Sequence, residues 1–418
     1  MRILIVGSSG FLGGAIAAAL HSAGHEVVGT ARRPAAGTGL VEADFARDHD
    51  PAVWRSRLAG FDAVVNAVGI LRESPGQHFD DLHQRGPCAL FSACVAAGVP
   101  RVVQISALGA DAAATSRYHL SKQQADDFLL SLPLTATVLQ PSLVYGPGGT
   151  SARLFDALAA LPLIPLPGQG RQLLQPIHLD DLCATVVKLL EMPAPPRRLA
   201  AVGPAALTLR DYLATLRRAL GLGRGCFINV PNALVDLAAT LGEKLPGALL
   251  DRDTLTMLER GNHADAGPIS AVLGHPPRPP ANFVAAREVR TARLTAQLDL
   301  LLPMLRLSLA VVWIVTAVVS VFFYPVTDSL ELLARTGISG AAGPLALYGA
   351  AGLDLLFGLG MLFLPRRRLL YKAQIGLILF YTLTISLFLP EFWFHPYGPL
   401  LKNLPMLAVL WVLHDLEE

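Results

Sequence analysis

The sequence RILIVGSSGFLGGAIAAAL, residues 2–20, joins an apolar run to an alanine-rich stretch through a glycine turn. The apolar run has the length and composition of a buried β-strand, and residues 15–20 favour a helix. The glycines permit a tight turn and a close approach to a pyrophosphate, whose charge the free amides at the helix start hold. The segment therefore predicts a strand–turn–helix unit that binds a dinucleotide. The expected contacts are Gly7, Ser9, Gly10, Phe11, Leu12 and Gly13.

Apolar, β-branched runs of strand length recur between helical stretches in the N-terminal third of the chain. They are residues 2–6, 26–31, 62–68, 101–105 and 135–139. Strands that helices cover on both faces have this uninterrupted apolar character. The predicted fold class is α/β, a Rossmann-type doubly wound parallel sheet.

Arg32 and Arg33 follow the second predicted strand, where an enzyme specific for NAD usually has an acidic residue. An arginine at this position can bind a ribose 2′-phosphate through two N–H groups. The pair therefore favours NADP(H), with NAD(H) as the less favoured cofactor, and two solvated loop arginines are the alternative. The remaining predicted cofactor contacts follow the next two strands: Asp44, Phe45, Ala67, Val68 and Gly69.

Tyr118 and Lys122 are four residues apart, so they lie on one face of a predicted helix. A neighbouring ammonium group stabilises a phenolate, and Lys122 is therefore expected to lower the pKa of Tyr118 toward neutrality. The pair would then serve general acid–base chemistry, with Lys122 also bonding the nicotinamide ribose. The alternative is an exposed helical pair, because this spacing is common by chance.

Four motifs, in this order, resemble the extended and atypical branches of the short-chain dehydrogenase/reductase superfamily. They are GSSGFLG from Gly7, NAVG from Asn66, YHLSK from Tyr118 and PSLVYGP from Pro141. The resemblance implies a nicotinamide cofactor, Tyr118 as general acid/base, Lys122 as its partner and Pro141 beside the nicotinamide. It also implies a catalytic serine at the end of the fifth strand. Ser106 is the candidate, although apolar residues follow it, and a strand-end cap is its alternative role.

Residues 105–111 and 140–145 are also similar to the atypical group that contains the NADPH-holding accessory subunit of respiratory complex I. Members of that group can retain nucleotide without turnover. Two functions are therefore open. The first is an NADP(H)-dependent oxidoreductase that acts on a carbonyl/alcohol group of a small substrate such as a quinone or a lipid. The second is a non-catalytic NADPH-binding sensor or assembly factor of a membrane redox complex.

The sequence gives no indication of a nucleic-acid partner or a metal site. The 34 basic and 32 acidic residues give a net charge of +2, without a basic stripe. His78 and His83 are five residues apart, which does not match a helical metal pair. Near His178, we expect Asp180 or Asp181 to cap a helix.

The first domain is predicted to cover residues 1–275, with residues 200–275 completing its substrate side. A proline-rich stretch then begins a linker, residues 276–302, whose second part, residues 281–302, resembles an amphipathic helix on a membrane surface.

Hydrophobic residues make up 52% of the chain, and the excess lies in the last third. Four apolar stretches predict an all-α transmembrane four-helix bundle over residues 303–418. They are residues 305–324, 344–364, 373–389 and 400–413; the last is short, and an interfacial helix is its alternative.

Basic residues around 366–372 connect the second and third stretches and are expected inside. The chain is thus predicted to be a multi-pass inner-membrane protein with a cytoplasmic N-terminal domain.

The C-terminal region resembles DoxX-like membrane domains, on Asp354 and on residues 395–403. Such domains are compact four-helix bundles that are sometimes linked to quinone or thiol redox processes. The resemblance therefore implies an anchor with possible access to a lipid-phase substrate. Asp354 is expected to face the bundle interior, and a structural role and a redox or proton role both stay open.

Overall fold

The computed structural model describes residues 1–242 and 252–417. The chain divides into two compact units, an N-terminal unit, Met1–Ala296, and a C-terminal unit, Gln297–Glu418. The first unit extends beyond the predicted boundary at residue 275, and residues 276–296 belong to it.

The N-terminal unit is built on a parallel sheet. The strands, in chain order, are β1 (Arg2–Val6), β2 (Glu26–Ala31), β3 (Val41–Glu42), β4 (Ala63–Asn66), β5 (Arg101–Ile105), β6 (Thr135–Pro141), β7 (Val144–Tyr145), β8 (Leu163–Pro167), β9 (Leu173–Leu174), β10 (Ile177–His178), β11 (Arg198–Ala201), β12 (Leu207–Thr208) and β13 (Cys226–Val230). Seven of them form one sheet in the order β11-β6-β5-β4-β1-β2-β3, with every neighbouring pair parallel. The predicted doubly wound parallel sheet is confirmed.

Helices cover both faces of this sheet. Among the described residues, the α-helices of the N-terminal unit are α1 (Phe11–Ser22), α2 (Pro51–Arg57), α3 (Gly86–Ala97), α4 (Arg117–Ser131), α5 (Thr150–Ala160), α6 (Leu179–Glu191), α7 (Leu209–Ala219), α8 (Asn232–Gly242), α9 (Arg252–Arg260) and α10 (Gly267–Leu273). Of these, α1, α6 and α10 pack on one face of the sheet, and α2, α3 and α4 pack on the other. Along β1, Ile3 and Ile5 pack in one buried cluster with α1 and α6, whereas Leu4 and Val6 pack in a second cluster with α2, α3 and α4. This alternation explains why the strands are apolar throughout.

The proline-rich stretch after residue 275 is fixed to the N-terminal unit. The Arg278 amide donates to the Asp181 carboxylate at 2.6 Å, and the Phe283 ring stacks on Tyr145 with centroids 4.8 Å apart. Short 3-10 turns, Pro280–Asn282 and Ala286–Glu288, follow, so the long helix begins later than the predicted residue 281.

The expectation that Asp180 or Asp181 caps α6 is wrong. The cap is His178, whose Nδ1 accepts from the Asp180 amide at 3.2 Å. Both carboxylates lie within the first turn of the helix, where the positive end of the helix dipole stabilises their negative charge.

Helices alone make up the secondary structure of the C-terminal unit in the part that the structure describes. They are α11 (Val289–Val318), whose first residues belong to the N-terminal unit, a π-helical turn (Val319–Phe323), α12 (Val326–Arg335), α13 (Ala342–Phe363), α14 (Arg368–Phe388), a 3-10 turn (Pro390–Trp393) and α15 (Asn403–Leu416). Among the described residues, three segments are long and apolar enough to cross a membrane: Ala286–Phe323, Ala342–Phe363 and Arg368–Phe388. The fourth predicted span corresponds to α15, which is shorter, and α12 was not predicted. Side chains from α11, α13, α14 and α15 share one buried apolar cluster, and Asp354 is buried, as expected.

Candidate active site

The glycine turn after β1 has a backbone that only small residues allow. Gly7 has a φ of +88°, and a Cβ atom there would lie 3.0 Å from Val68 Cγ2. A Cβ at Gly13 would lie 2.1 Å from the Gly7 carbonyl oxygen. Within the described chain, no side chain caps the start of α1 at Gly10, so the first amides of this helix are available to an anion.

Hydrogen bonds tie the glycine turn to the end of β2. Ser8 Oγ accepts from the Thr30 amide at 3.0 Å and donates to the Thr30 carbonyl at 3.1 Å, while Thr30 Oγ1 accepts from the Gly7 amide at 3.2 Å. Sequence reasoning missed both hydroxyl groups, because their role depends on the pairing of β1 with β2. Arg32 and Arg33 follow directly and are exposed to solvent.

The side chain of Phe45 packs in the core of the N-terminal unit. Its ring is buried edge-on against Trp54, with centroids 5.5 Å apart, and a Cβ at Gly86 would lie 2.7 Å from Phe45 Cγ. The side chain belongs to the core, so a contact of Phe45 with an adenine would come from its backbone. Asp44 is partly exposed, and its carboxylate accepts from the Ala46 amide at 3.1 Å.

Lys122 joins the ends of β4 and β5. Its side chain is 3% exposed, and Nζ donates to the carbonyls of Val68 at 3.0 Å and Ile105 at 3.4 Å. A Cβ at Gly69 would lie 2.9 Å from Nζ, which explains a glycine there. Burial lowers the pKa of Lys122 to about 8, against the opposing charge of Asp126. The structure thus brings Lys122 together with Val68 and Gly69.

Tyr118 lies in the first turn of α4, one turn before Lys122. Ser116 caps this helix by accepting from the His119 amide at 3.3 Å. Burial raises the pKa of Tyr118 to about 12, and the charge of Asp126 acts in the same direction. The prediction that Lys122 lowers this pKa is therefore wrong, because desolvation dominates. The phenol is protonated at neutral pH and can act as a proton donor.

His83 is a site residue that sequence reasoning considered only as a metal ligand. Its Nε2 accepts from the Ile70 amide at 3.0 Å, so the proton is on Nδ1, which donates to Ser121 Oγ at 2.9 Å. Ser121 Oγ in turn donates to the Tyr118 carbonyl at 2.8 Å. Burial and the charge of Lys122 lower the pKa of His83 to about 2, so the ring is neutral. This chain of hydrogen bonds connects the loop after β4 to the helical turn that carries Tyr118.

A π-helical turn, Asp80–Arg85, places His83 in this position. The His83 ring stacks on Phe79, with centroids 5.1 Å apart, and meets the Tyr118 ring edge-on at 5.5 Å. Wide turns of this kind are frequent at functional sites. No pattern in the sequence signals this turn.

Ser106 follows β5 and is buried, and its hydroxyl donates to the Asp126 carboxylate. Its hydrogen is therefore committed to Asp126. Pro141 ends β6 and is buried, and its carbonyl accepts from the Leu108 amide at 2.9 Å. The bond from Leu108 to Pro141 connects the ends of β5 and β6, whereas the bond from Ser106 to Asp126 connects the end of β5 to α4.

A further contact comes from α9, on the predicted substrate side. Arg260 donates to the Gly109 carbonyl at 2.7 Å and to both carboxylate oxygens of Asp111 at 2.7 and 2.8 Å. The loop after β5 is therefore bonded to β6 through Pro141 and to α9 through Arg260. The sequence contained no signal for the contact between Arg260 and Asp111.

The glycine turn, residues 67–69 and Lys122 meet at the carboxyl edge of the sheet. The glycine turn ends β1, residues 67–69 follow β4, and the chain order reverses between these two neighbouring strands. This reversal is where open α/β sheets bind ligands. The backbone cradle, which a Cβ would fill, together with the uncapped helix start fits a dinucleotide pyrophosphate.

Comparison with known families agrees with this geometry. Residues 3–201 match the NAD dependent epimerase/dehydratase family, and residues 310–411 match the DoxX-like family. The chain joins an epimerase-type NAD(P)-binding domain to a DoxX-like domain. The resemblances to the short-chain dehydrogenase/reductase type of domain and to DoxX-like domains are confirmed.

Three curated proteins are similar to parts of the chain. The ceramide reductase of Caulobacter vibrioides is 30% identical over 139 residues, which cover 33% of this chain and 43% of that protein. The human epimerase family protein SDR39U1 is 27% identical over 260 residues, 56% of this chain and 85% of that protein. Subunit 9 of the NADH dehydrogenase 1 alpha subcomplex of Arabidopsis thaliana is 27% identical over 150 residues, 35% of this chain and 36% of that protein. The chain thus spans less than half of the first and third.

Solved structures share the fold of the epimerase-type domain. Human SDR39U1 with NADPH has a TM-score of 0.55 at 22% identity, covering 70% of this chain and 99% of that chain. MoeE5 in complex with UDP-glucuronic acid and NAD has a TM-score of 0.53 at 21% identity, covering 71% and 100%. The fold is therefore an NAD(P)-binding fold, whose examples hold either nucleotide.

Proposed function

We propose that the protein is a membrane-anchored NADP(H)-dependent oxidoreductase of the short-chain dehydrogenase/reductase type, which reduces a carbonyl group of a small lipid-phase substrate. The observation that carries this proposal is the placement of Tyr118 one helical turn from Lys122, whose ammonium group is bonded to the loop after β4 beside the glycine turn.

Each residue group has a defined task in this reaction. The glycine turn and the first amides of α1 bind the pyrophosphate, and Arg32 and Arg33 bind the ribose 2′-phosphate. Lys122 bonds the nicotinamide ribose. The bound nucleotide supplies hydride. Tyr118 donates its phenolic proton to the oxygen of the carbonyl as that oxygen becomes an alcohol, which agrees with a phenol that is protonated at neutral pH.

Two observations support a lipid-phase substrate. The DoxX-like domain contains helices long and apolar enough to cross a membrane, so the epimerase-type domain is tied to a chain that can reside in a bilayer. One relative is named a ceramide reductase, and ceramide is a lipid. We infer that the substrate is a lipid or a quinone with a ketone or aldehyde group, reduced on the cytoplasmic side, where the basic connection around residues 366–372 is expected.

A second function, a non-catalytic NADPH-binding sensor or assembly factor of a membrane redox complex, is favoured by the Ser106 contact. The hydroxyl that would orient a substrate carbonyl is committed to the Asp126 carboxylate. Similarity to the NADH dehydrogenase subunit points the same way.

Tyr118→Phe distinguishes the two functions. Membranes that contain native protein should oxidise NADPH with an extract of lipid ketones, and Tyr118→Phe should lower this rate by about 100-fold or more, because general acid catalysis is lost. NADPH binding by the variant should be unchanged. A substrate ketone should also accumulate in lipid extracts of cells that carry the variant. Equal rates and equal lipid profiles for the two proteins would contradict the enzymatic function and favour the sensor.

A further inference from the structure

Two oppositely charged side chains are buried on the same face of α4. Asp126 is 0% exposed and lies four residues after Lys122, which is 3% exposed. One carboxylate oxygen of Asp126 accepts from Ser106, and the other has no hydrogen-bond partner among the described residues. Burying a charge without a compensating charge is costly, and the charge of each group stabilises the charged form of the other.

Lys122 and Asp126 form hydrogen bonds with two consecutive residues at the end of β5. Lys122 Nζ donates to the Ile105 carbonyl at 3.4 Å, and the next residue, Ser106, donates its hydroxyl to Asp126. The helix that carries Tyr118 is therefore fixed to the carboxyl edge of the sheet through both members of the pair. Ser106 thus has a defined partner that does not involve a substrate.

The other charged or titratable groups around Asp126 are either neutral or exposed to solvent. On α4 itself, Tyr118 is a neutral phenol and Asp127 is exposed, where it pairs with Arg198 of β11. His83, from the π-helical turn, is neutral. Among the described residues, Lys122 is therefore the buried cation whose charge acts on the Asp126 carboxylate.

We propose that Asp126 is a positioning residue: its carboxylate, oriented by Ser106, is the counter-charge that keeps Lys122 cationic and ready to bind the nucleotide. The proposal rests on the proposed function in one respect, that Lys122 contacts the nicotinamide ribose. It assigns Ser106 to the orientation of the Asp126 carboxylate.

The direction of the electrostatic effect follows from the burial of both groups. Burial lowers the pKa of Lys122, and the negative charge of Asp126 opposes that shift. The same negative charge raises the pKa of Tyr118. Removing the charge of Asp126 should therefore lower both pKa values, and Lys122 should lose its proton at a lower pH.

The test is the pH dependence of the NADPH dissociation constant, measured by fluorescence on the full chain in detergent. Native protein should bind less tightly as Lys122 deprotonates in the alkaline range. Asp126→Asn should move this weakening to lower pH by about one unit, so that the dissociation constant at pH 8.5 rises up to about tenfold. Asp127→Asn, a matched loss of charge at an exposed neighbour, should follow the native curve. Superimposable curves for native protein and Asp126→Asn would overturn the proposal.

A second measurement covers two other outcomes. If Asp126→Asn does not fold, the double variant Lys122→Met/Asp126→Asn should restore folding, because the unpaired buried cation is removed; continued failure would contradict the pairing.

If native protein does not bind NADPH, the proposed function fails, and a double-mutant cycle of thermal unfolding with these substitutions still tests the pair. A coupling between the two positions is expected, and additivity would overturn the proposal.

Discussion

At the scale of single residues, His83 shows how a buried neutral side chain organises the site. Its two ring nitrogens connect the Ile70 amide to Ser121, and Ser121 to the Tyr118 carbonyl. The ring has a depressed pKa because charging it would require a buried cation beside Lys122. A stability that depends on pH follows from this shift.

Below pH 6.5 the unfolded chain binds a proton on His83, whereas the folded protein does not until about pH 2. The stabilisation is complete above pH 6.5 and is lost as the pH falls, by about 1.4 kcal/mol of unfolding free energy per pH unit. In His83→Asn this contribution to the slope should disappear. Urea unfolding between pH 4.5 and 7 measures it, with the exposed His275→Asn as control. Equal slopes for native protein and His83→Asn would show that His83 titrates normally.

Arg32 and Arg33 determine the expected nucleotide preference. Replacing both by Ala should weaken NADPH binding by about 10- to 100-fold, since charge-assisted bonds to the 2′-phosphate are lost. NADH binding should change little, because NADH has no phosphate at this position. Fluorescence titration with both nucleotides measures the two constants. A parallel loss for NADPH and NADH would place the arginines outside the 2′-phosphate site.

At the scale of secondary-structure elements, α11 and α13 approach each other closely at Gly358. A Cβ there would lie 2.5 Å from Ile314 Cγ1 and 3.0 Å from the Ala310 carbonyl, whereas a Cβ at Gly352 would meet nothing within 4 Å. Small residues at such contacts allow close packing of membrane helices.

Gly358→Leu should therefore overpack the C-terminal unit, at a cost of about 1–3 kcal/mol. Gly352→Leu, on the same helix, should be tolerated. Thermal unfolding in detergent would show a lower midpoint for Gly358→Leu alone. Equal midpoints for the two variants would mean that α11 and α13 do not pack in this way.

The elements also show what the sequence could and could not predict. Strand positions were predictable because buried parallel strands are continuous apolar runs, and predicted residues 2–6, 26–31 and 101–105 coincide with β1, β2 and β5. The role of Ser106 was not predictable, since its partner lies 20 residues away on α4. The burial of Phe45 and the π-helical turn at His83 also depend on tertiary packing, which no local pattern records.

At the scale of the whole molecule, charge distribution predicts the orientation in the membrane. The basic residues around 366–372 should be cytoplasmic. Two predicted spans lie between the N-terminal unit and these residues, and an even number of spans would place both on the same side of the membrane. Cys226 is exposed on that unit and provides a native reporter. A membrane-impermeant maleimide should label it only after cells are permeabilised, and Cys226→Ser should remove the signal. Labelling in intact cells would reverse the orientation.

The central claim is that the glycine turn and the start of α1 bind a dinucleotide, and calorimetric titration of NADPH into the full chain in detergent tests it most directly. Ser9→Glu adds a carboxylate beside the predicted pyrophosphate position, and Ser22→Glu adds one at the other end of α1; both serines are exposed. We predict saturable binding to one site in native protein and in Ser22→Glu, and a loss of at least about tenfold in affinity for Ser9→Glu. The absence of saturable binding to native protein, or equal affinity in all three proteins, would contradict the claim.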